Sequence, residues 1–469
     1  MNQGQTQGPA FHRHGRMRTH HLFAVMALLV SGSNAVPEVL NRTVLEGDAA
    51  RVASFGKEAY WPCDSCRNCH PKTFAQHTAS MHARSFSNPV FQAQYTKEVL
   101  PMARSSSEMS HEARSCPTCH APIAHKLSRA RLASPDLIQG SGSGVTCDFC
   151  HTITGYTGDQ PGNGNYLTKP GVTKFGPLKT KTDWHHSYSA LQTRSEFCAI
   201  CHSVNNHLGL DIKSTYAEWK ASRYAAEGIQ CQDCHMTANG FLTGGFPLYD
   251  SGLAASMTLG SSPERNKLYT PRFQGARSHS QIEGAMQLAF ELPAASAAPG
   301  GFLEVRLKVD NSRTGHKMPS GSVDLRYMWL DVYAQIGAER VQLSPVNPPA
   351  SQGYDLIGAY DEIDRTILAG AVPLGRRIYR TILADARGVP TLAFYLAKSV
   401  VFDNRLNASE VRVETYRGKL PETKEPRFSL VATLYYLPYP DSFAARLELP
   451  KAEPVQVASA RVELAFKPH

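Results

Sequence analysis

The most regular hydrophobic pattern lies in the C-terminal half of the chain. From Phe302 to Asp310, apolar Val305, Leu307 and Val309 alternate with charged Glu304, Arg306 and Lys308. Successive side chains of a strand point to opposite faces, so this period of two predicts a strand with one buried face. Similar strand-like runs are Met286–Leu292, Tyr327–Ile336, Glu410–Tyr416, Phe428–Leu437 and Ala460–Phe466. Turns rich in Pro, Gly and Asn separate them, and together they predict an antiparallel β-sandwich over residues 282–469.

Before residue 282 the pattern is different. The segment Thr215–Gly228 predicts a helix that contains Trp219 and Tyr224 and stops at Gly228. The stretch from Met236 to Gln281 is rich in Gly, Ser and Thr and predicts connecting loops. Short helices and loops are therefore expected here, and the chain as a whole is predicted to be α+β.

Ten of the eleven cysteines belong to one repeated motif, Cys-x-x-Cys-His. Its five copies are Cys66, Cys69 and His70; Cys116, Cys119 and His120; Cys147, Cys150 and His151; Cys198, Cys201 and His202; and Cys231, Cys234 and His235. This motif predicts covalent attachment of a c-type haem. On a helical turn both thiols and the imidazole share one face, so the thiols can bond the haem vinyl groups while the imidazole binds iron. Zinc and thioredoxin-like sites also use Cys-x-x-Cys, but neither requires the histidine that follows.

Five covalently bound haems c would leave little chain for each. The segment from residue 66 to residue 235 spans 170 residues, which is about 34 per haem and too few to build a separate apolar core around each. We expect the porphyrins themselves to form the core. The predicted fold is α+β, with a mainly helical and loop-rich multihaem cytochrome c domain at residues 36–281 followed by the sandwich.

Each haem iron has two axial positions, and the motif histidine fills one of them. Closely clustered haems typically have two histidine ligands, so other histidines are candidates for the second position. His82 follows the first motif by twelve residues, and His279 lies just before the sandwich. One residue of each of the pairs His185/His186 and His111/His125 is also expected to be a ligand.

His316 lies in a loop directly after the predicted strand Phe302–Asp310. Gly315, Pro319 and Gly321 restrict the shape of this loop. Because the sandwich has no haem motif of its own, we expect His316 to reach a haem of the preceding domain. A simple hairpin turn is the alternative interpretation.

Residues 1–35 show the three parts of a secretory signal peptide. Arg13, Arg16 and Arg18 form a basic start, Leu22–Val30 is a nine-residue apolar stretch, and Ser33–Ala35 is a small-residue cleavage site. Nine apolar residues are too few to span a bilayer, although an uncleaved anchor is the alternative. The mature chain is predicted to be exported to the periplasm or the extracellular surface, and not to be an integral membrane protein.

The basic charge does not indicate a nucleic-acid partner. The formal net charge of +9 falls to +6 without the three arginines of the predicted signal peptide. Five haems would add about ten propionate carboxylates, offset by about one positive charge per ferric iron, so the holoprotein is expected to be near neutral when oxidised and mildly acidic when reduced. No nucleic-acid-binding motif accompanies the charge.

Several short segments resemble a known family of haem proteins. They are Ser80–Ala83, Cys119–Pro122, Gly144–His151, Ser195–Cys198, Tyr216–Ser222, Gly228–Met236, Thr314–Gly321 and Asp403–Leu406. On these segments the chain resembles exported multihaem cytochromes c related to the tetrahaem cytochrome of ammonia oxidisers. More distantly, it resembles the superfamily of cytochrome c nitrite reductase and hydroxylamine oxidoreductase. The last two segments resemble a family member with a C-terminal β-domain. The resemblance implies electron transfer through haems in stacked pairs.

The chain departs from this family in two respects. It has five haem motifs rather than four, and no motif has the lysine in place of the final histidine that marks the catalytic haem of many nitrite reductases. We therefore expect an electron-transfer protein without a catalytic residue. Its expected partners are redox proteins, such as other cytochromes or a quinol-oxidising membrane complex.

Two alternatives remain open at this point. One is an oxidoreductase that acts on a small nitrogen or sulfur compound at a five-coordinate haem, and the number of distal histidines distinguishes it from a carrier. The other is a structural subunit of a surface cytochrome complex. Cys63, the eleventh cysteine, is expected to be an unpaired thiol beside the first haem, or to form an intermolecular disulfide.

Overall fold

Short helices form much of the part of the chain that contains the motifs. The structure is a computed structural model that describes residues 60–128, 144–180, 186–257, 260–276, 278–291, 297–346, 372 and 376–467. Its helices are α1 Pro71–Thr78, α2 Pro89–Gln94, α3 Leu100–Ala103, α4 Ser107–His120, α5 Pro122–Ser128, α6 Cys147–Thr152, α7 Ser195–His202, α8 Thr215–Lys220, α9 Arg223–Ala226, α10 Gln232–His235, α11 His279–Ile282 and α12 Asp441–Leu447. Single helical turns cover Cys63–Cys66, Tyr95–Val99, Ala190–Thr193 and Phe394–Leu396.

The motifs lie on helical turns, as the chemistry of attachment requires. Helices α4, α7 and α10 end at His120, His202 and His235. The backbone N–H of His235 donates to the carbonyl of Cys231 at 2.9 Å. This bond spans four residues, so the first cysteine and the histidine of the motif share one face of the turn.

The helix predicted over Thr215–Gly228 is divided in two. Helix α8 ends at Lys220 and α9 begins at Arg223. Between them the Ser222 hydroxyl donates to the carbonyl of Trp219 at 2.6 Å, a local bond that competes with continued helix. Gly228 follows with φ +76°, a left-handed conformation that favours glycine, and the predicted stop lies there.

Small two-stranded sheets connect the helices, including in the stretch from Met236 to Gln281 that was predicted as loops. These strands are β1 Ile153–Tyr156, β2 Tyr166–Thr168, β3 Lys174–Gly176, β4 His186–Tyr188, β5 Val204–Asn205, β6 Asp211–Lys213, β7 Leu242–Thr243, β8 Phe246–Pro247, β9 Asp250–Leu253, β10 Ser256–Met257, β11 Gly260–Ser261 and β12 Glu264–Leu268. They pair as β1–β2, β3–β4, β5–β6, β7–β8, β9–β12 and β10–β11. Only β3 and β4 pair in parallel among these.

Longer antiparallel strands follow. They are β13 Gln287–Glu291, β14 Phe302–Asp310, β15 Tyr327–Ile336, β16 Glu339–Gln342, β17 Ser344–Pro345, β18 Arg377–Tyr379, β19 Thr381–Asp385, β20 Pro390–Thr391, β21 Ala397–Asp403, β22 Val411–Lys419, β23 Arg427–Leu437 and β24 Val455–Ala465. One sheet has the order β13-β14-β22-β17, and a second has the order β16-β15-β23-β24 with β18 also paired to β15. A third, smaller sheet has the order β20-β19-β21.

One hydrophobic core contains the inward-facing side chains of the two larger sheets. It includes Leu303, Val305, Leu307 and Val309 from β14, Met328, Leu330, Val332 and Ala334 from β15, and Leu430, Ala432 and Leu434 from β23. On β14 buried and exposed residues alternate along the strand, which confirms the alternation prediction there. The α+β class is confirmed as well. Strand β19 was not predicted, because its first four residues are all buried and therefore show no alternation.

The late part of the chain packs against the early helices. Ala393 and Tyr395 share a hydrophobic cluster with Phe86, Tyr95 and Val99. The described residues belong to one compact unit, Gly47–His469. The predicted boundary between residues 281 and 282 stays a prediction, and residues 1–35, the predicted signal peptide, lie outside the described residues. No helix in the described part of the chain is long and apolar enough to cross a membrane.

Candidate functional site

Four of the five motif histidines are oriented by a backbone carbonyl. The Nδ1 atoms donate to Ala254 (His70, 2.8 Å), Ser85 (His120, 2.9 Å), Phe175 (His151, 2.6 Å) and Gln274 (His235, 2.7 Å). Such a bond fixes the tautomer and the ring orientation, so that Nε2 is the nitrogen that would bind a metal. The donor set and its outer partners therefore fit haem iron.

The imidazole rings of His82 and His202 lie close together. Their ring centroids are 6.0 Å apart, with the ring planes inclined at 55°. Burial and, to a smaller extent, the neighbouring His202 lower the pKa of His82 to about 3. The buried Nδ1 of His82 has no hydrogen-bond partner among the described residues, and a buried polar nitrogen of this kind requires an explanation such as a bound ion.

His202 has two properties that fit a large group beside it. By surface area its side chain is exposed. Burial nevertheless lowers its pKa to about 4, with Lys213 the next cause. One side of the His202 ring is therefore accessible to a bound group, while protein surrounds the rest of the ring.

His235 and His316 form the second pair. Their ring centroids are 6.3 Å apart and the planes are nearly parallel, at 10°. The Nδ1 of His316 donates to the carbonyl of Lys317 at 2.9 Å. In His316, as in His235, Nε2 is therefore the nitrogen that would bind iron. Metal–imidazole bonds are about 2 Å and the ring centre lies about 1 Å beyond the nitrogen, so two rings on one metal ion have centroids about 6 Å apart. Both pairs fit this spacing.

The loop that contains His316 is held on both sides. The Asn311 side chain is fully buried and donates to the carbonyls of His316, Leu406 and Asn407 at 3.1, 3.2 and 2.8 Å. On the other side, the backbone N–H of Lys317 donates to Glu218 of α8 at 3.1 Å. The loop therefore joins the end of β14 to the helices that precede the fifth motif.

The motifs also lie close to one another. Cys63 Sγ is 3.5 Å from Cys147 Sγ, and Cys66 also hydrogen-bonds the Cys147 thiol. A hydrogen bond to Cys201 lowers the pKa of the Cys119 thiol, and one to Cys198 lowers the pKa of the Cys231 thiol. These contacts join the first motif to the third, the second to the fourth, and the fourth to the fifth.

The remaining predicted ligands lie in several environments. His111 and His279 are exposed, on α4 and at the start of α11. His125 is half-buried, and its Nε2 lies 3.4 Å from Thr118 Oγ1. The Nε2 of His186 donates to the carbonyl of Leu178 at 2.5 Å, whereas His185 lies outside the described residues. The distal ligands opposite His70, His120 and His151 stay predictions among these histidines.

Cys63 lies beside the third motif as well as the first. Its Sγ is 4.0 Å from the Nδ1 of His77, in addition to the contact with Cys147. The hydrogen bond from Cys147 lowers the pKa of Cys63 to about 4. Cys63 therefore lies between the first and third motifs, and not beside the first motif alone.

Sequence reasoning missed the groups that orient the motif histidines. The four carbonyls belong to Ala254, Ser85, Phe175 and Gln274, and a backbone carbonyl leaves no signal in the residue type. It also missed two aromatic contacts: Phe91 stacks on His120 with centroids 3.9 Å apart, and Phe273 lies 4.1 Å from His82. Aromatic residues near a motif are the only available hint of such contacts.

Residues 65–152 match a protein family described as cytochrome c554 and c-prime. The chain is also similar to the crystal structure of a penta-haem cytochrome c552 from Thermochromatium tepidum. The similarity covers 85% of this chain and 97% of that chain, with 20% sequence identity and a TM-score of 0.57. At this identity the similarity shows a shared fold.

Other solved structures are less similar. The PapD-like domain 7 of human CEP192 has 9% identity over 40% of this chain and 86% of its own, with a TM-score of 0.15. Spo0M, a sporulation control protein from Bacillus subtilis, has 8% identity over 40% of this chain and 51% of its own, with a TM-score of 0.14. These scores are too low to support a conclusion. No curated protein matches the chain.

Proposed function

We propose that this multihaem cytochrome c binds five haems covalently and passes electrons along them between redox partner proteins. The five Cys-x-x-Cys-His motifs support the number of haems. The family match and the fold shared with a penta-haem cytochrome support the same reading. Bound haem supplies a reversible one-electron couple at its iron.

The observation on which the proposal rests is the spacing of the two imidazole pairs, His82 with His202 and His235 with His316. An iron that is held by two imidazoles has no open position for a substrate. Such a site favours electron transfer over substrate chemistry. The protein contributes by fixing both rings before the electron arrives, so little rearrangement accompanies the change of charge.

The contacts between motifs supply a route for electrons. Cysteines of the second and fifth motifs both lie against the fourth, through Cys119 with Cys201 and Cys231 with Cys198. The thioether carbons bonded to such neighbouring sulfurs would bring the porphyrin edges close together. The fourth haem is therefore proposed as a junction of the chain of haems.

The C-terminal sheets are proposed to form a β-sandwich that takes part in haem ligation. Their shared core positions β14, and the loop after β14 places His316 opposite His235. Location outside the cytoplasm, in the periplasm or on the extracellular surface, is supported by the predicted signal peptide at residues 1–35.

Mass spectrometry and electron paramagnetic resonance of the mature holoprotein test the proposal. The expected mass is that of the chain from Val36 plus five haems, and the expected ferric spectrum is wholly low-spin. Four or fewer haems after full maturation would contradict the haem number. A high-spin signal equal to one haem, together with turnover of nitrite or hydroxylamine, would favour the oxidoreductase instead.

A further inference from the structure

The loop that contains His316 is bonded to a segment of the chain at the end of β21. Met318 and Leu406 of the two segments exchange a pair of backbone hydrogen bonds, at 2.9 and 3.1 Å. The Lys317 ammonium donates to a carboxylate oxygen of Asp403 at 2.9 Å. Two successive residues after His316 are therefore held by this segment.

Arg405 of that segment lies at the centre of the contacts. Its Nε and Nη2 donate to the two carboxylate oxygens of Asp403 at 2.9 and 3.0 Å, a bidentate pair that suits the planar guanidinium. The Nη1 donates to the carbonyl of Pro319 in the His316 loop at 3.2 Å. The Nη2 also lies 3.0 Å from the Glu218 carboxylate of α8, and the Arg405 and Glu218 side chains are only 4% and 7% exposed. One buried guanidinium thus joins the loop, the end of β21 and helix α8.

Glu218 connects this guanidinium to the His316 ring. One of its carboxylate oxygens, Oε1, accepts from Arg405 and from the Ser214 hydroxyl, at 3.0 and 2.7 Å. The other, Oε2, accepts from the backbone N–H of Lys317 at 3.1 Å. The carbonyl of the same Lys317 accepts from the His316 Nδ1 at 2.9 Å. The residue whose carbonyl orients the imidazole is therefore held by a carboxylate that Arg405 fixes.

We propose that Arg405 is a positioning residue that holds the His316 imidazole opposite His235. The inference rests on the proposed ligation of the fifth haem iron by these two histidines, whose ring planes differ by only 10°. The attraction between buried charges is largely offset by the cost of removing them from water, so a buried ion pair fixes one arrangement of its segments more than it adds stability. Here that arrangement sets the position of an iron ligand, and this gives a role to the segment Asp403–Leu406.

Variants of the holoprotein at Arg405 test this assignment. Arg405→Met removes the hydrogen bonds of the guanidinium, and Arg405→Lys keeps the charge without the planar fork. Arg377→Met is the matched control, because Arg377 of β18 forms a largely buried ion pair with Glu414 of β22, at 2.9 Å, and neither residue belongs to the His316 loop. The readouts are the number of haems by mass and the high-spin fraction of the ferric protein by electron paramagnetic resonance with spin quantification.

The expected result for Arg405→Met is five retained haems and a high-spin signal, absent from the wild type, of up to about one fifth of the ferric haem, because the loop no longer keeps the imidazole on one iron. Arg405→Lys should give a smaller signal, and Arg377→Met should give none. Combining Arg405→Met with His316→Ala should leave the total at about one fifth, since both changes act at the same iron. If Arg405→Met accumulates poorly, Glu218→Gln gives an independent measurement, because it removes the negative charge that faces Arg405.

Three outcomes overturn the assignment. If Arg405→Met, or Glu218→Gln in its place, stays fully low-spin while His316→Ala becomes partly high-spin, Arg405 does not position the ligand. If Arg377→Met gives the same high-spin signal, the effect is a general loss of stability. A total of about two fifths in the combined variant would place the effect of Arg405 at another haem. A His316→Ala protein that stays fully low-spin would instead contradict the proposed ligation itself, and this variant measured alone separates that case.

Discussion

The opposition of His235 and His316 leads to a prediction for His316→Ala. Five covalent haems should remain, because attachment depends on the cysteines. The imidazole centroids are 6.3 Å apart, close to the separation of about 6 Å expected for two rings on one metal ion. Removal of one ring leaves the iron at the fifth motif with an open or water-filled position. About one fifth of the low-spin ferric signal should therefore become high-spin.

Electron paramagnetic resonance with spin quantification measures this change, and a redox titration should show one potential shifted upward. His316→Met, which restores a ligand, should recover a low-spin spectrum at a higher potential than the wild type. Arg313→Ala is the matched loop control. This exposed residue of the same loop donates to the carbonyl of Gly284 at 3.1 Å, and its loss should leave all five haems low-spin. A fully low-spin His316→Ala protein would refute the assignment of His316 as an iron ligand and favour the hairpin interpretation.

Three further predictions follow from other contacts. His82→Ala should convert about one fifth of the low-spin ferric signal to high-spin. Combined with His316→Ala it should convert about two fifths, because the two histidines act at different haems. An unchanged spectrum would show that His82 is not an iron ligand opposite His202. Asn311→Ala should lower the free energy of unfolding by about 2–4 kcal/mol in denaturant titrations, since three carbonyls lose a donor that is fully buried. A loss below about 0.5 kcal/mol, the size of an ordinary surface substitution, would contradict this account of the loop. Asp324→Asn should stabilise the protein by at most about 4 kcal/mol at neutral pH and by little near pH 4. Burial raises the pKa of Asp324 from 3.8 to about 7, so the wild type loses stability as pH rises through that window, and a variant difference that is independent of pH would show that Asp324 does not titrate there.

The sequence by itself determined the local features. The spacing of Cys231, Cys234 and His235 places three groups on one helical turn, and no distant residue is needed to read that chemistry. In the same way, the alternation along Phe302–Asp310 indicated both the strand and its buried face, because side-chain direction in a strand has a fixed period. Strand β19 was not predicted, because burial on both faces removes the alternation of apolar and polar residues along the strand.

Only the tertiary structure decided which groups meet. His82 and His202 are 120 positions apart, and His235 and His316 are 81 apart, so no local pattern relates the members of either pair. Their opposition depends on how the helices and the loop after β14 pack together. The carbonyls that orient the motif histidines, such as Ala254 for His70, are equally hidden, because every residue type has the same backbone acceptor. Haem attachment follows from covalent spacing along the chain, whereas axial ligation follows from positions in space.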